Sequence, residues 1–232
     1  MKNRIMVLLL MVFMTLAGCT NISKDAQRFK EEYESLNGEE NASGVNYREI
    51  TIDERNPFVY ADLSEINQKM NSKETFIVYF GSNWCPWCRS ILPQVIETAE
   101  KNRVSKIYYV DGKPGNDDEK EIRDVYAVDD NGRVYLKHEG TEAYHIFINR
   151  AASVLADYSR SDVETLDGTE FAGQKRIGLP NFVLVVKGEA VKMITGISLL
   201  QNDPYQQLND DILSDVNDMF TELFEELKGA QK

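Results

Sequence analysis

The stretch FGSNWCPWCRSILP, residues 80–93, contains two of the three cysteines of this 232-residue chain, Cys85 and Cys88. It follows the continuous apolar and β-prone run TFIVYF at 75–80, which predicts a strand buried on both faces. It also opens an amphipathic pattern that predicts a helix running to about Lys101. A cysteine pair between a buried strand and a helix leaves three interpretations open: a metal site, a structural disulfide and a redox pair.

The patterns around this stretch alternate between strand and helix. This alternation predicts an α/β fold with parallel central strands and right-handed crossovers. The run LPNFVLVVKGEAVKMITG at 179–196 predicts two strands joined at Lys187 and Gly188, and residues 205–228 predict a closing amphipathic helix. The other predicted elements near the cysteines are strands at 47–52 and 106–111 and a helix at 62–70 with Asp62 or Ser64 near its cap.

The composition is that of a soluble globular protein, because 42% of the residues are apolar and 28% are charged. The formal net charge is −12 and the isoelectric point is near 4.7. Phosphate binding requires clustered lysines and arginines, so an acidic chain of this kind argues against a nucleic-acid partner. We interpret the acidity as a solvated surface that keeps the protein soluble.

The N-terminus has the pattern of a signal peptide. Lys2 and Arg4 precede an apolar run at 5–16 that is too short to span a bilayer comfortably. The run ends in LAGC, which resembles the lipobox of bacterial lipoproteins, a family in which the cysteine receives a diacylglyceryl group. The resemblance implies a signal peptide at 1–18 and a lipid on Cys19 that anchors the chain outside the cell membrane. An ordinary cleaved signal with a chance cysteine is the alternative.

The segment after this signal is polar and rich in charge. Residues 19–46 contain one weak helical stripe, at 24–36, which is followed by two glycine-containing breaks. We therefore predict a polar tether with a short helix at 19–46, and a folded domain at 47–232.

The metal and structural interpretations of the cysteine pair are both disfavoured. A structural zinc site needs four ligands, usually as two close pairs, and this chain offers one cysteine pair and two histidines. Gly140 lies between His138 and His145, which argues against a single helix that presents both. A bridge between Cys85 and Cys88 would close so short a loop that it would add little stability.

A redox pair needs an acidic, exposed thiol and a second thiol that can resolve a mixed disulfide. The strand–turn–helix pattern places Cys85 at a helix N-terminus, where unpaired backbone N–H groups and the helix dipole favour the thiolate. Pro86 suits the first helical position because its missing N–H costs nothing there. Cys88 lies one turn deeper on the same face. We therefore predict that Cys85 attacks and that Cys88 resolves.

The segment WCPWCRSILP resembles the active-site segment of the thioredoxin superfamily, including Trp84 and the helix-kinking Pro93. A second segment, RIGLPNFVLVVKGE at 176–189, resembles the cis-proline strand of that family. The resemblance implies a thioredoxin-like fold with a central mixed sheet flanked by helices, and a cis bond between Leu179 and Pro180. It also implies that the backbone of Leu179 pairs with an extended substrate. The substrate-binding residues expected on this basis are Trp84, Pro86, Trp87, Leu179 and Pro180.

Two departures from the family lie at the site itself. Thioredoxins carry a buried carboxylate where this chain has Tyr79, and the lysine that faces it aligns with Ile107. Proton transfer at Cys88 must then use water or a group that the sequence does not identify. The inner dipeptide, Pro86 and Trp87, resembles that of glutaredoxin-like sites, and we expect a moderately oxidising potential.

A third departure is an insertion at about 112–175, between the third strand and the cis-proline strand. We predict that it is mainly helical, with helices at 117–128 and 142–158. Between them we predict a hairpin with its turn at Asn131 and Gly132, and after them a polar loop at 159–176. It could form a cap near the site that restricts substrates, or it could be an additional packing layer, and the sequence leaves both interpretations open.

These features lead us to expect a membrane-anchored, extracytoplasmic thiol–disulfide oxidoreductase without metal or other cofactor. Its expected partners are thiols and disulfides of exported proteins or peptides, together with a redox protein that recycles the pair. The chain also resembles thioredoxin-like lipoproteins of Gram-positive bacteria, some of which are described as bacteriocin-transport accessory proteins. The alternative is a non-catalytic module whose fold docks a transporter or a secreted peptide.

Overall fold

The computed structural model describes residues 22–112, 121–164 and 170–232, with the backbone alone at 158–164 and 170–174. The predicted signal peptide at 1–18 and the predicted lipid site Cys19 lie outside the described residues. The helices are α1 (Lys24–Glu34), α2 (Leu63–Asn71), α3 (Pro86–Lys101), α4 (Glu142–Ala151) and α5 (Asp210–Ala230). The strands are β1 (Phe58–Tyr60), β2 (Phe76–Gly81), β3 (Ile107–Asp111), β4 (Val125–Val128), β5 (Val134–His138), β6 (Asp157–Glu164), β7 (Glu170–Lys175), β8 (Asn181–Val186) and β9 (Glu189–Ile194).

Five strands form one mixed sheet in the order β1-β3-β2-β8-β9. β1, β3 and β2 are parallel, whereas β8 and β9 run antiparallel to their neighbours. Because side chains alternate between the faces of a strand, the sheet carries two apolar cores. One core contains side chains of α1, α3 and α5, and the other contains side chains of α2 and α4. The predicted α/β fold, a central mixed sheet flanked by helices, is confirmed.

The central strand β2 positions the cysteine pair. All six of its residues are buried, as the continuous apolar run predicts, and it pairs with β3 on one side and β8 on the other. It ends at Gly81, and a short turn then leads into α3, which contains Pro93. The start of α3 therefore lies at the carboxyl ends of the parallel strands, which is where α/β sheets commonly bind ligands.

Residues 47–52 are not a strand, contrary to the prediction. The backbone polar groups of Ile50 and Ile52 pair with side chains instead of with a neighbouring strand. Ile50 donates its N–H to Oδ1 of Asn37 and accepts from Nδ2 of the same side chain, at 3.1 and 2.8 Å. The N–H of Ile52 donates to Glu34 at 2.8 Å. Side-chain amides and carboxylates thus satisfy the backbone here, and the first strand of the sheet is Phe58–Tyr60.

Helix α1 belongs to the folded core, whereas we predicted that it was part of a polar tether. Ala26, Phe29 and Tyr33 are buried, with Phe29 and Tyr33 completely so. The ring of Phe29 stacks on Phe58 of β1 at a centroid distance of 4.2 Å. The helical stripe of α1 is short in sequence, but its aromatic side chains complete a cluster of rings on one face of the sheet.

The prediction that the insertion is mainly helical is wrong. Within the described residues it contains one helix, α4, and two hairpins, β4–β5 and β6–β7. The predicted turn at Asn131 and Gly132 joins β4 to β5, and Gly132 has a φ of +77° that the turn requires. The β-branched and aromatic residues of β4 pair across this turn rather than continuing a helix. The hairpin β6–β7 occupies the region that we predicted to be a polar loop.

Candidate active site

The start of α3 has the geometry that the sequence predicts for a reactive thiol. Cys85 is the N-cap residue, and its Sγ accepts the backbone N–H of Cys88 at 3.3 Å. Pro86 is the first helical residue. Both thiols are free in the structure. A sulfur that receives a backbone N–H at a helix N-terminus is favoured as a thiolate, because the helix dipole and the hydrogen bond both stabilise negative charge.

The two thiols have opposite electrostatic environments. Hydrogen bonding with the Cys88 side chain is the largest cause that lowers the pKa of Cys85 below its usual value. Burial opposes this effect, while the backbone N–H groups of Cys88 and Trp87 and the positive charge of Arg123 lower the pKa further. Burial raises the pKa of Cys88 well above its usual value, and the Cys85 sulfur adds to the increase. Cys85 is therefore the more acidic thiol of the pair, as the assignment of attacking and resolving cysteines requires.

Cys85 is less exposed than we expected. Only 4% of the residue is accessible, and Cys88 is completely buried. Trp84, Trp87 and Leu179 are half-buried and pack against the core cluster that contains both cysteines. Aromatic and aliphatic side chains thus form an apolar rim, Trp84, Trp87 and Leu179, around the cluster that contains the thiol.

The structure brings the second predicted segment to the cysteine pair. The Leu179–Pro180 peptide bond is cis, as the resemblance implies, and Pro180 is buried. The carbonyl oxygen of Leu179 lies 3.6 Å from Sγ of Cys85. Gly112, directly after β3, lets the Leu179 side chain approach the backbone closely. A Cβ at position 112 would lie only 2.9 Å from Leu179 Cδ2. The end of β3 and the segment before β8 thus form one wall beside Cys85.

Tyr79, where the sequence departs from the thioredoxin pattern, lies behind the pair and hydrogen bonds with Cys88. It is completely buried on β2, and its hydroxyl is 3.2 Å from the hydroxyl of Tyr33 on α1. The sequence points to Tyr79 but not to Tyr33, because the two are 46 positions apart and no local pattern links them.

Arg89 is a structural residue of the site that sequence reasoning missed. It directly follows Cys88, it is completely buried, and burial lowers its pKa. Its guanidinium donates to the carbonyl oxygens of Arg48 and Tyr33 at 2.6 Å each. It also donates to Asn37 Oδ1 at 2.7 Å and to the Asn83 carbonyl at 3.2 Å. Arg89 therefore ties the segment after α1 to the turn that carries the cysteines.

Part of the insertion reaches the site. Arg123 forms a buried, two-pronged ion pair with Glu121 at 2.7 Å, and it donates to the carbonyl oxygen of Ile177 at 3.2 Å. The N–H of Ile122 donates to the Gly112 carbonyl at 3.4 Å. Residues 121–123 thus bridge the end of β3 and the segment that leads to Leu179. Sequence reasoning missed Arg123, because its contact with Ile177 and its proximity to Cys85 join segments that are distant in the chain.

Neither histidine lies in a candidate metal site. His138 Nε2 lies 2.7 Å from the Glu121 carbonyl oxygen, and His145 Nε2 lies 2.9 Å from Asp124 Oδ1. The residues with described side chains contain no group of three or more potential metal ligands in suitable positions. In the same part of the chain, no helix combines the length and apolar character needed to cross a membrane.

Comparison with solved structures finds a similarity to a thioredoxin. Thioredoxin O2 from Arabidopsis thaliana, solved in the oxidised state, is 17% identical, covers 63% of this chain and 88% of its own, and superposes with a TM-score of 0.32. No protein-family profile matches the sequence. No curated protein matches it either. The strand order, the cysteines at the start of α3 and the adjacent cis Leu179–Pro180 bond describe a thioredoxin-like fold.

Proposed function

We propose that this protein is a lipid-anchored, extracytoplasmic thiol–disulfide oxidoreductase. The observation that carries the proposal is the position of Cys85, whose Sγ accepts a helix-terminal N–H and lies beside the Leu179 carbonyl. A structural cysteine needs neither of these features. A nucleophilic cysteine gains from both, because the N–H stabilises the thiolate and an adjacent backbone can hold the substrate in line with it.

The chemistry proceeds by two thiol–disulfide exchanges. The Cys85 thiolate attacks one sulfur of a substrate disulfide, the substrate S–S bond breaks, and the other substrate sulfur leaves as a thiolate that takes up a proton. The Cys88 thiolate then attacks Sγ of Cys85 and releases the second substrate sulfur. The pair has become a disulfide and the substrate a dithiol, and the reverse sequence oxidises a substrate dithiol.

The lowered pKa of Cys85 supports the oxidising direction. A stabilised thiolate stabilises the reduced form of the pair, and this makes the disulfide form a stronger oxidant. Donors to the Cys85 sulfur therefore favour oxidation of substrates, in agreement with the Pro86 and Trp87 dipeptide. A redox partner outside the cytoplasm would then reoxidise the pair.

The location and the partners belong to the same proposal. The LAGC sequence that ends at Cys19 supports a lipid anchor, and an anchored chain would meet exported proteins and peptides at the membrane surface. Trp84, Pro86, Trp87, Leu179 and Pro180 would contact these substrates. The resemblance to Gram-positive lipoproteins that assist bacteriocin transport supports an exported peptide as one substrate class.

A second candidate function is a non-catalytic docking module. The low exposure of Cys85, at 4%, favours it, because a thiol that only packs in the core needs no access. In that case the apolar rim would bind a transporter or a secreted peptide without covalent chemistry.

A trapping experiment separates the two functions. The Cys88→Ala variant should accumulate mixed disulfides through Cys85 on exported proteins, since the resolving thiol is absent. The matched control is the double variant Cys85→Ala and Cys88→Ala, which should trap nothing. An empty trap, together with wild-type protein that neither reduces a model disulfide nor oxidises a model dithiol, would refute the enzymatic function and favour the docking module.

Detergent partitioning tests the anchor. The full chain expressed in a Gram-positive host should partition with membranes, and Cys19→Ala should release it or block its processing. Recovery of freely secreted wild-type protein would refute lipid anchoring.

A further inference from the structure

A pair of buried tyrosine hydroxyls lies behind the resolving cysteine. Tyr79 on β2 and Tyr33 on α1 are both completely buried, and their hydroxyl oxygens are 3.2 Å apart. They share one core cluster with Cys88. Buried hydroxyl groups are costly unless they form hydrogen bonds, so a pair of them beside a reactive sulfur requires an explanation.

The absence of a side chain at Gly81 leaves room for the phenol of Tyr79. Tyr79 and Gly81 lie on the same face of β2, and the phenol extends over the glycine. A Cβ at position 81 would lie 2.1 Å from the Tyr79 hydroxyl oxygen. Any larger residue at 81 would therefore displace the hydroxyl. The glycine permits the phenol to reach along the strand toward the end that carries the cysteines.

We infer that the Tyr79 hydroxyl is the catalytic hydrogen-bond donor that stabilises the Cys88 thiolate, and that Tyr33 is a positioning residue that aims it. This inference rests on the proposed function and identifies the group that acts at the resolving thiol. The pair takes the place of the buried carboxylate of the related family, but it acts differently, because a neutral phenol donates a hydrogen bond and does not remove a proton.

The electrostatic environment agrees with this geometry. Burial raises the pKa of Cys88, and hydrogen bonding by the Tyr79 hydroxyl lowers it. Burial also raises the pKa of Tyr79 well above its usual value, as it does for Tyr33. Both phenols therefore stay neutral throughout the physiological pH range and can act only as donors and acceptors of hydrogen bonds. The hydrogen bond with Tyr33 lowers the pKa of Tyr79, which fits donation from Tyr33 to Tyr79.

The step in which the pair acts is the second exchange. Cys88 loses its proton to water, and its thiolate attacks Sγ of Cys85 in the mixed disulfide. The new bond joins Cys85 to Cys88, the bond to the substrate breaks, and the substrate thiolate takes up one proton. Burial lowers the fraction of Cys88 that is present as thiolate. A hydrogen-bond donor at Cys88 stabilises the thiolate and so raises this fraction.

Reaction with an aromatic disulfide, 5,5′-dithiobis(2-nitrobenzoate), separates the two steps. The reduced protein should release the coloured thiolate in two phases, the first from attack by Cys85 and the second from resolution by Cys88. Tyr79→Phe should move the pH midpoint of the second phase upward by about one unit and slow this phase about threefold near neutral pH, because the lost thiolate fraction is partly offset by higher nucleophilicity. The first phase should change less than about twofold. Tyr33→Phe should act in the same direction with a smaller shift.

The matched control is Tyr108→Phe, which removes a phenol hydroxyl from the opposite face of β3. It should leave both phases unchanged. Gly81→Ala keeps every hydroxyl but displaces that of Tyr79, so it should slow the second phase as well. Circular dichroism spectra identify any variant that fails to fold. If Tyr79→Phe or Gly81→Ala does not fold, Tyr33→Phe tests the inference in its place.

An unchanged second-phase midpoint in folded Tyr79→Phe, or in folded Tyr33→Phe if Tyr79→Phe does not fold, would overturn the inference. Absence of the first phase in the wild-type protein would instead overturn the proposed function. The two failures are therefore distinguishable.

Discussion

The Sγ of Cys85 donates to the carbonyl oxygen of Leu179 at 3.6 Å, across 94 positions of the chain. This contact joins the two segments on which the proposed chemistry depends. It also depends on the protonation state, since only the thiol has a hydrogen to donate. When Cys85 ionises, the Leu179 carbonyl loses this donor and becomes available to another N–H group. Under the proposed function, ionisation of Cys85 would therefore be coupled to release of the Leu179 carbonyl for substrate binding.

The pH dependence of alkylation tests the environment of Cys85. Its pKa is lowered, chiefly by hydrogen bonding with Cys88, so the thiolate fraction should rise at lower pH than in an ordinary cysteine, whose pKa is about 8.5. Iodoacetamide labelling of the wild-type protein at limiting reagent, followed by mass spectrometry from pH 4 to 10, measures the midpoint at Cys85. Cys88→Ser removes the thiol partner, so its midpoint should lie higher. A wild-type midpoint at or above that of a model peptide would contradict the assignment of Cys85 as the nucleophile.

Arg123 should tune the same thiol from within the insertion. Its positive charge lowers the pKa of Cys85, and its guanidinium holds the Ile177 carbonyl. Arg123→Met should slow alkylation of Cys85 about twofold near neutral pH, a modest effect because Glu121 already pairs with the charge. Arg133→Met, at an exposed site in the β4–β5 hairpin, is the control and should have no effect. Faster alkylation in Arg123→Met would contradict this electrostatic role.

Arg89 should be important for stability. Replacing it by methionine leaves several buried carbonyl oxygens without donors, and we expect a loss of about 3 kcal/mol or more in the free energy of unfolding. Arg89→Lys should not restore the stability, because an ammonium cannot span partners placed around a planar guanidinium. Urea titration of the reduced proteins measures both changes. Wild-type stability in Arg89→Lys would show that the charge alone is sufficient.

Helix α1 should be required for folding. Phe29→Ala removes a completely buried ring from the aromatic cluster and should cost about 3 to 5 kcal/mol in the free energy of unfolding. Ile22→Ala, at a residue that is 43% exposed, should cost less than about 0.5 kcal/mol. Thermal unfolding followed by circular dichroism compares the two variants. Equal stabilities would support the tether that we first predicted for this segment.

The elements nearest the cysteines were predictable because their signals are local. The apolar run of β2, the capping box formed by Asp62 and Glu65, and Pro86 at the start of α3 act within a few residues. Prediction was wrong at 47–52 and in the insertion. In the first case, side chains of α1 and the following turn replaced strand pairing. In the second, cross-strand pairing outweighed a helical pattern.

The sequence by itself determined the alternation of strands and helices around the cysteines, the cysteines at the start of a helix and the tyrosine at a position where the thioredoxin pattern has a carboxylate. These features depend on side-chain period, on capping and on residue identity, which neighbours along the chain already specify. Only the tertiary structure decided that Tyr33 faces Tyr79, that Arg123 reaches the site and that Cys85 is covered. Such contacts join segments that are far apart in the chain, and packing of the whole domain selects them.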